Sequence, residues 1–111
     1  MVKVVVLIRR NPAFSREEFA RYYEETHAPL TQKHSPTLRK YVRNHVTTLL
    51  DPPDAEELDC ISELWFDDMA GFEAFIEFYM SEAGRIIRDD EDSFQDSSKR
   101  VAYVVEEKMT A

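Results

Sequence analysis

Several side chains in this 111-residue sequence are of types and at spacings that could move protons. His27 follows Tyr23 by one helical turn, and an imidazole at a pocket mouth titrates in the range where a general acid or base works. On spacing alone the preferred reading is plainer: a histidine in the last turn of a helix, favoured by the helix dipole. Tyr41, Arg43 and His45 alternate on one face of an extended run. They offer a proton donor, a cation and a proton acceptor to a small anionic or phenolic ligand, or else a polar face to solvent or to a second copy. Glu63 falls in register with Ile61 and Trp65, and a carboxylate among aromatic groups can have its proton affinity raised. An ion pair with Arg43 or Lys3 across the sheet is the preferred reading of Glu63. His34 sits in a polar connection and is assigned no role, and Cys60 reads as an inert buried thiol.

Other chemistries are excluded by composition. One cysteine allows neither an internal disulfide nor a cysteine-rich zinc site. The histidines at 27, 34 and 45 lack metal-motif spacing, so no metal is expected. Gly71 and Gly84 are too few for a phosphate-cradling loop, and there is no Gly-x-Ser-x-Gly elbow. Catalysis, if present, should need no cofactor. The formal charge of −8 argues against nucleic acid as a partner, since phosphate neutralisation needs a basic surface. That charge is unevenly spread. Residues 1–45 hold nine of the 14 Lys/Arg and four of the 22 Asp/Glu, a net +5, which leaves −13 for residues 46–111. Lys3, Arg9 and Arg43 in the basic part fall on or near the candidate pocket in this reading. No apolar run is long enough for a membrane span and no signal peptide is evident, so a soluble cytoplasmic protein is expected.

The elements that must position these groups follow from pattern. Residues 2–9 are a nearly continuous β-branched run, as in a central strand. Ser15 and Glu18 make a capping box, and Phe14 with Phe19 a hydrophobic staple, for a helix that Pro29 should stop or kink just after His27. Residues 38–50 read as a second strand, 51–57 as an acidic connection and 60–66 as a third strand. Asp67 or Asp68 caps a second helix with Met69, Phe72, Phe75, Ile76, Tyr79 and Met80 as its apolar positions. A short further helix carries Ile86 and Ile87 and should end at the acidic run 89–92; residues 101–105 form the last strand. The order βαββαβ over a single domain, 1–111, predicts an α+β, ferredoxin-like sandwich: a four-stranded antiparallel sheet with its helices on one face. The uncovered face is expected to hold Tyr41, His45, Trp65 and Tyr103. It is too aromatic for free exposure, so a homodimer is expected.

These residues also carry a resemblance. The stretch from Val4 to Arg10, followed by Ser15-x-x-Glu18-Phe19-x-x-Tyr22-Tyr23-x-x-x-His27-Ala28-Pro29-Leu30, resembles the opening of the EthD family. Tyr41-Val42-x-Asn44-His45-Val46, Glu63-Leu64-Trp65-Phe66 and Asp90-Glu91-x-x-Phe94-x-Asp96 are similar to its later landmarks. The resemblance implies a dimeric α+β barrel and a functionally mixed family. Its members are linked to ether-fuel degradation beside a monooxygenase, and related proteins include muconolactone isomerases and metal-free polyketide tailoring enzymes. It places His27 at the pocket mouth, reversing the preference drawn from spacing. His27, Tyr41 and His45 become the catalytic candidates, and Tyr23, Arg43, Glu63 and Trp65 the candidates for holding the ligand. The expected function is a small cofactor-independent lyase, isomerase or oxidoreductase acting on a cyclic or aromatic anionic metabolite. The alternative is a non-catalytic small-molecule-binding or accessory protein of a degradation pathway.

Overall fold

A computed structural model of the chain describes residues 1–53 and 55–111. The expected acidic connection at 51–57 includes Asp54, which lies outside the described residues. Strand β1 (Val2–Ile8) leads to helix α1 (Arg16–Tyr22), a π-helical turn (Tyr23–His27) and helix α2 (Ala28–Lys33). Strands β2 (Leu38–His45) and β3 (Cys60–Phe66) follow, then α3 (Met69–Met80), α4 (Arg85–Phe94), a 3₁₀ turn (Ser97–Lys99) and β4 (Val101–Val105). The sheet has the order β2-β3-β1-β4 with every neighbouring pair antiparallel. This is the ferredoxin-like α+β architecture expected from the pattern.

Local signals set the element ends. The Ser15 side chain accepts from the Glu18 amide at 3.0 Å while the Glu18 carboxylate accepts from the Ser15 amide at 3.0 Å, so the capping box is formed. Asp68 caps α3 through the Gly71 amide at 2.8 Å. Gly84 closes the α3–α4 turn, where a Cβ would collide with the carbonyl oxygens of Phe78 and Tyr79.

Three expectations are corrected. The first helical segment does not stop after His27. The Ala28 amide donates to the Tyr23 carbonyl five residues back, and this π turn carries the helix directly into α2, with Pro29 as its second residue. The acidic run does not end the last helix, which continues to Phe94. Charged residues there share the segment with buried Ile87 and Phe94. The third correction concerns β2. Tyr41 pairs with Leu64, Arg43 with Ser62 and His45 with Cys60. In β3 the residues Cys60, Ser62, Leu64 and Phe66 are buried beneath the helices. Tyr41, Arg43 and His45 therefore belong to the covered side, whereas Trp65 and Tyr103 lie on the open one. The open face still carries Val5, Leu7, Val42, Ile61, Val101 and Val105 beside Trp65 and Tyr103. Trp65 itself lies between the ammonium groups of Lys3 and Lys40, each 4.7 Å from its ring centroid.

Candidate active site

A cavity of about 160 Å³ lies between the covered sheet face and the helices. Its walls differ. Val4, Val6, Leu64, Phe66, Phe72 and Phe75 form an apolar end, and Tyr23, His27, Tyr41, Tyr79, Glu91 and Arg100 bring polar atoms to the other.

The π turn aims two of these groups. Tyr23 and His27 are only 2% and 1% exposed, and Phe19, Phe94 and the two rings pack edge-on or tilted at 5.0–5.9 Å. The His27 Nδ1 lies 2.8 Å from Asp90 Oδ2, and the Tyr22 hydroxyl donates to the other Asp90 oxygen at 2.5 Å. A carboxylate only accepts, so we assign the ring proton to Nδ1. Nε2 then carries its lone pair toward the Thr31 hydroxyl at 3.3 Å and Glu91 Oε2 at 3.8 Å.

A row of hydroxyls runs across the sheet side of the cavity. The Tyr41 and Tyr23 oxygens are 2.7 Å apart, and Tyr23 is 2.7 Å from Ser62 Oγ. Burial holds the Tyr23 phenol above its ordinary pKa and Tyr41 well above it, so both stay protonated at neutral pH. The Arg43 guanidinium covers the outer side of the Tyr41 ring at 4.7 Å. Burial also raises Glu91, against the opposing pull of Arg100, Tyr79 and His27. Tyr79 donates to Glu91 Oε1 at 2.5 Å and is itself pushed up by burial and by that carboxylate.

The sequence-derived candidates are thus distributed over three places. His27, Tyr23 and Tyr41 converge on the cavity. Arg43 and His45 turn outward on the same sheet side and both hold Glu24, Arg43 through two nitrogens at 2.7 and 3.1 Å and His45 Nε2 at 2.8 Å. Glu63 and Trp65 lie on the open face, with Glu63 3.1 Å from Lys3 Nζ. The cation lining the cavity is Arg100, not Lys3, Arg9 or Arg43. Burial pushes the Cys60 thiol up to about 11, in keeping with an inert role. Thr31, Ser62, Tyr79, Asp90, Glu91 and Arg100 escaped sequence reasoning as site residues. For Asp90 and Glu91 the available signal was their place in the family landmark near Phe94.

A family profile described as "EthD domain" matches residues 11–98. No curated protein sequence matches the chain. Among solved structures, an ethyl tert-butyl ether d (EthD) family protein from Bacillus halodurans is similar at 21% identity, with 97% of this chain and 100% of that one covered and a TM-score of 0.69. A protein from Thermobifida fusca described as dimeric, ferredoxin-like and of unknown function is 17% identical over 94% and 88% of the two chains, with a TM-score of 0.65. The hydroxynitrile lyase of Passiflora edulis is 16% identical over 98% and 96%, with a TM-score of 0.62. These likenesses are of fold. With the profile spanning most of its length and the His27-Ala28-Pro29-Leu30 stretch inside the match, the chain belongs to the EthD family.

Proposed function

We propose that the chain is a small cofactor-independent enzyme that transfers a proton on a single-ring, cyclic or aromatic metabolite, with His27 as the base. The observation that carries this reading is the 2.8 Å contact between His27 Nδ1 and Asp90, which in the neutral ring puts the lone pair on Nε2 at the cavity wall. Asp90 fixes the tautomer and stabilises the imidazolium that forms when Nε2 takes a proton. A cavity of about 160 Å³ sets the ligand size; one of about 150 Å³ accepts a benzene ring. Three hydroxyls in a row share two hydrogen bonds, so one proton is left over. With Ser62 donating to Tyr23 and Tyr23 to Tyr41, the spare donor is Tyr41, available to an oxygen that gains charge during proton removal. The charge once sought in Arg43 falls to Arg100 at the cavity wall, where Gln95 accepts from it at 2.9 Å. The Passiflora relative, a lyase on the same fold, supports a catalytic over a purely binding role.

The proposal includes a homodimer in which two open sheet faces close into an α+β barrel. Val5, Leu7, Val42, Ile61 and Trp65 would be covered in that arrangement, and the Thermobifida relative is described as dimeric. Light scattering should give twice the chain mass, and Val42→Asp should reduce it to one.

The catalytic reading is tested in D₂O with single-ring ketones, lactones and phenols, following carbon-bound deuterium by NMR. Exchange on one of them is expected, falling by about 100-fold or more in His27→Gln. Equal exchange in that variant removes His27 from the mechanism. Tight binding without exchange moves the chain to the alternative, a binding or accessory protein.

A further inference from the structure

Glu91 is a largely enclosed acid, its side chain 15% exposed, that the proton transfer assigned to His27 leaves unused, and its surroundings are specific. Adjacent residues of α4 straddle one imidazole: Asp90 meets Nδ1 at 2.8 Å, and Glu91 Oε2 faces Nε2 at 3.8 Å. The other Glu91 oxygen is committed, accepting from Tyr79 at 2.5 Å with Arg100 at 3.7 Å. Arg100 is in turn placed by Gln95, whose side-chain oxygen accepts from it at 2.9 Å. Oε2 is therefore the free oxygen, and it shares the cavity wall with His27 Nε2, whose other neighbour is the Thr31 hydroxyl at 3.3 Å.

A lone pair and an ionised carboxylate oxygen repel at this range. A proton on one of them, or a ligand group between them, removes the conflict. Two atoms 3.8 Å apart can also both reach one atom at ordinary hydrogen-bond length. We infer that His27 and Glu91 grip one ligand group between them, Glu91 as the carboxylic acid donating to its oxygen and Nε2 accepting its acidic proton, so that Glu91 is a second catalytic residue; the substrate class is then a single ring bearing a hydroxyl, or a carbonyl with an adjacent C–H. The inference deepens the proton-transfer reading and rests on it for the reactive step alone.

In that step the ligand is a cyclic ketone. Neutral His27 Nε2 takes a proton from the carbon next to the carbonyl. The C–H electron pair becomes the ring double bond, the carbonyl π pair moves to oxygen, and that oxygen takes the Glu91 proton. The products are a neutral enol, an imidazolium and a carboxylate, so charge and atoms balance without a co-reactant. Return of the proton to the same carbon gives exchange, and to another carbon isomerisation. Burial supports the acid form of Glu91 against the groups that face it: His27 from the π turn, Tyr79 from α3, Arg100 ahead of β4, Asp92 on its own helix, and the Tyr23 and Tyr41 hydroxyls across the cavity.

The experiment has two arms on the full chain. Binding of phenol and of benzene is measured by NMR shift changes in wild type, Glu91→Gln and Glu91→Met. Phenol should bind about tenfold more tightly than benzene in wild type and Glu91→Gln, and the preference should vanish in Glu91→Met. Equal binding of the two probes by wild type overturns the shared oxygen site. Gln matches Glu in shape and keeps the acceptor for Tyr79, so its result stands even if the Met variant folds poorly. In the second arm, cyclohexanone exchange in D₂O is followed against pH. Wild-type exchange should fall as rising pH ionises Glu91, and Glu91→Gln should be slower by about 100-fold and lack that fall. A wild-type rate and pH profile in Glu91→Gln overturns the acid role. No exchange by wild type overturns the proton-transfer reading, and the acid role with it, while the phenol preference decides the oxygen site separately.

Discussion

Two parts of the helical layer lie over the same sheet face and treat it differently. The α1–π turn segment and α4 press Phe19, Tyr23, His27, Ile87 and Phe94 into full burial, and the four rings among them pack edge-on or tilted against one another. Helix α3 buries none of its residues completely. Phe72 and Phe75 touch Phe66 at 5.6 and 5.1 Å between ring centroids, and the cavity opens between them and the strands. A close-packed interior leaves few voids larger than a water molecule, so a cavity of this size beneath one helix marks where the chain has given up packing. The side that packs carries His27 and Tyr23, and the loose side supplies room. Precision and access are thus divided between two helices.

The contrast can be broken by substitution. Phe19→Ala should cost about 3–5 kcal/mol in urea unfolding, as a fully enclosed aromatic does; a loss near 1 kcal/mol would mean the first segment is no tighter than α3. Alkaline titration compares the two regions without mutation. Burial raises the folded-state values of Tyr23 and Tyr41 on the packed side and of Tyr79 on α3. Each raised value means that its stabilising contribution is complete below the unfolded value, about pH 10, and is lost as pH rises through the folded one. Tyrosinate absorbance from these three should therefore grow only together with loss of the far-ultraviolet signal. An earlier step would show α3 opening alone. Phe75→Ala, at the half-buried cavity rim, should cost about 1–2 kcal/mol, with more room for ligand. The smallest effect is expected from Ser15→Ala, which removes the cap far from the cavity at about 1 kcal/mol by thermal unfolding.

Much of the fold was legible in the chain because its signals are local. The capping box at Ser15 and Glu18, the Asp68 cap and the alternation through 60–66 each depend on a few neighbouring residues, and the βαββαβ order follows from them. The site was legible only in part. Alternation shows that Tyr41, Arg43 and His45 share a side, but the side covered by helices depends on pairing with β3, and Leu38–Lys40 carries a register shift as well. Asp90 and Glu91 stand in a run of four acids, which in sequence looks like a solvated helix end. Their roles arise from the turn at Gly84 and from a histidine more than sixty residues away. Likewise, Arg43 and His45 had suitable chemistry but found Glu24 first, an ion-pair partner that spacing along β2 does not reveal.

The π turn makes the aim of His27 a matter of counting residues. A widened turn accommodates an extra residue relative to regular α-helical winding, and each α-helical residue corresponds to about 100° of rotation. Deleting Thr26 would remove the extra residue and let the segment rewind as an ordinary helix with α2 still in phase, and the change of aim would fall on Tyr23 and His27 within the turn. Aligned relatives of different length in this stretch should therefore differ in which group faces the cavity, even where the histidine itself is present in both.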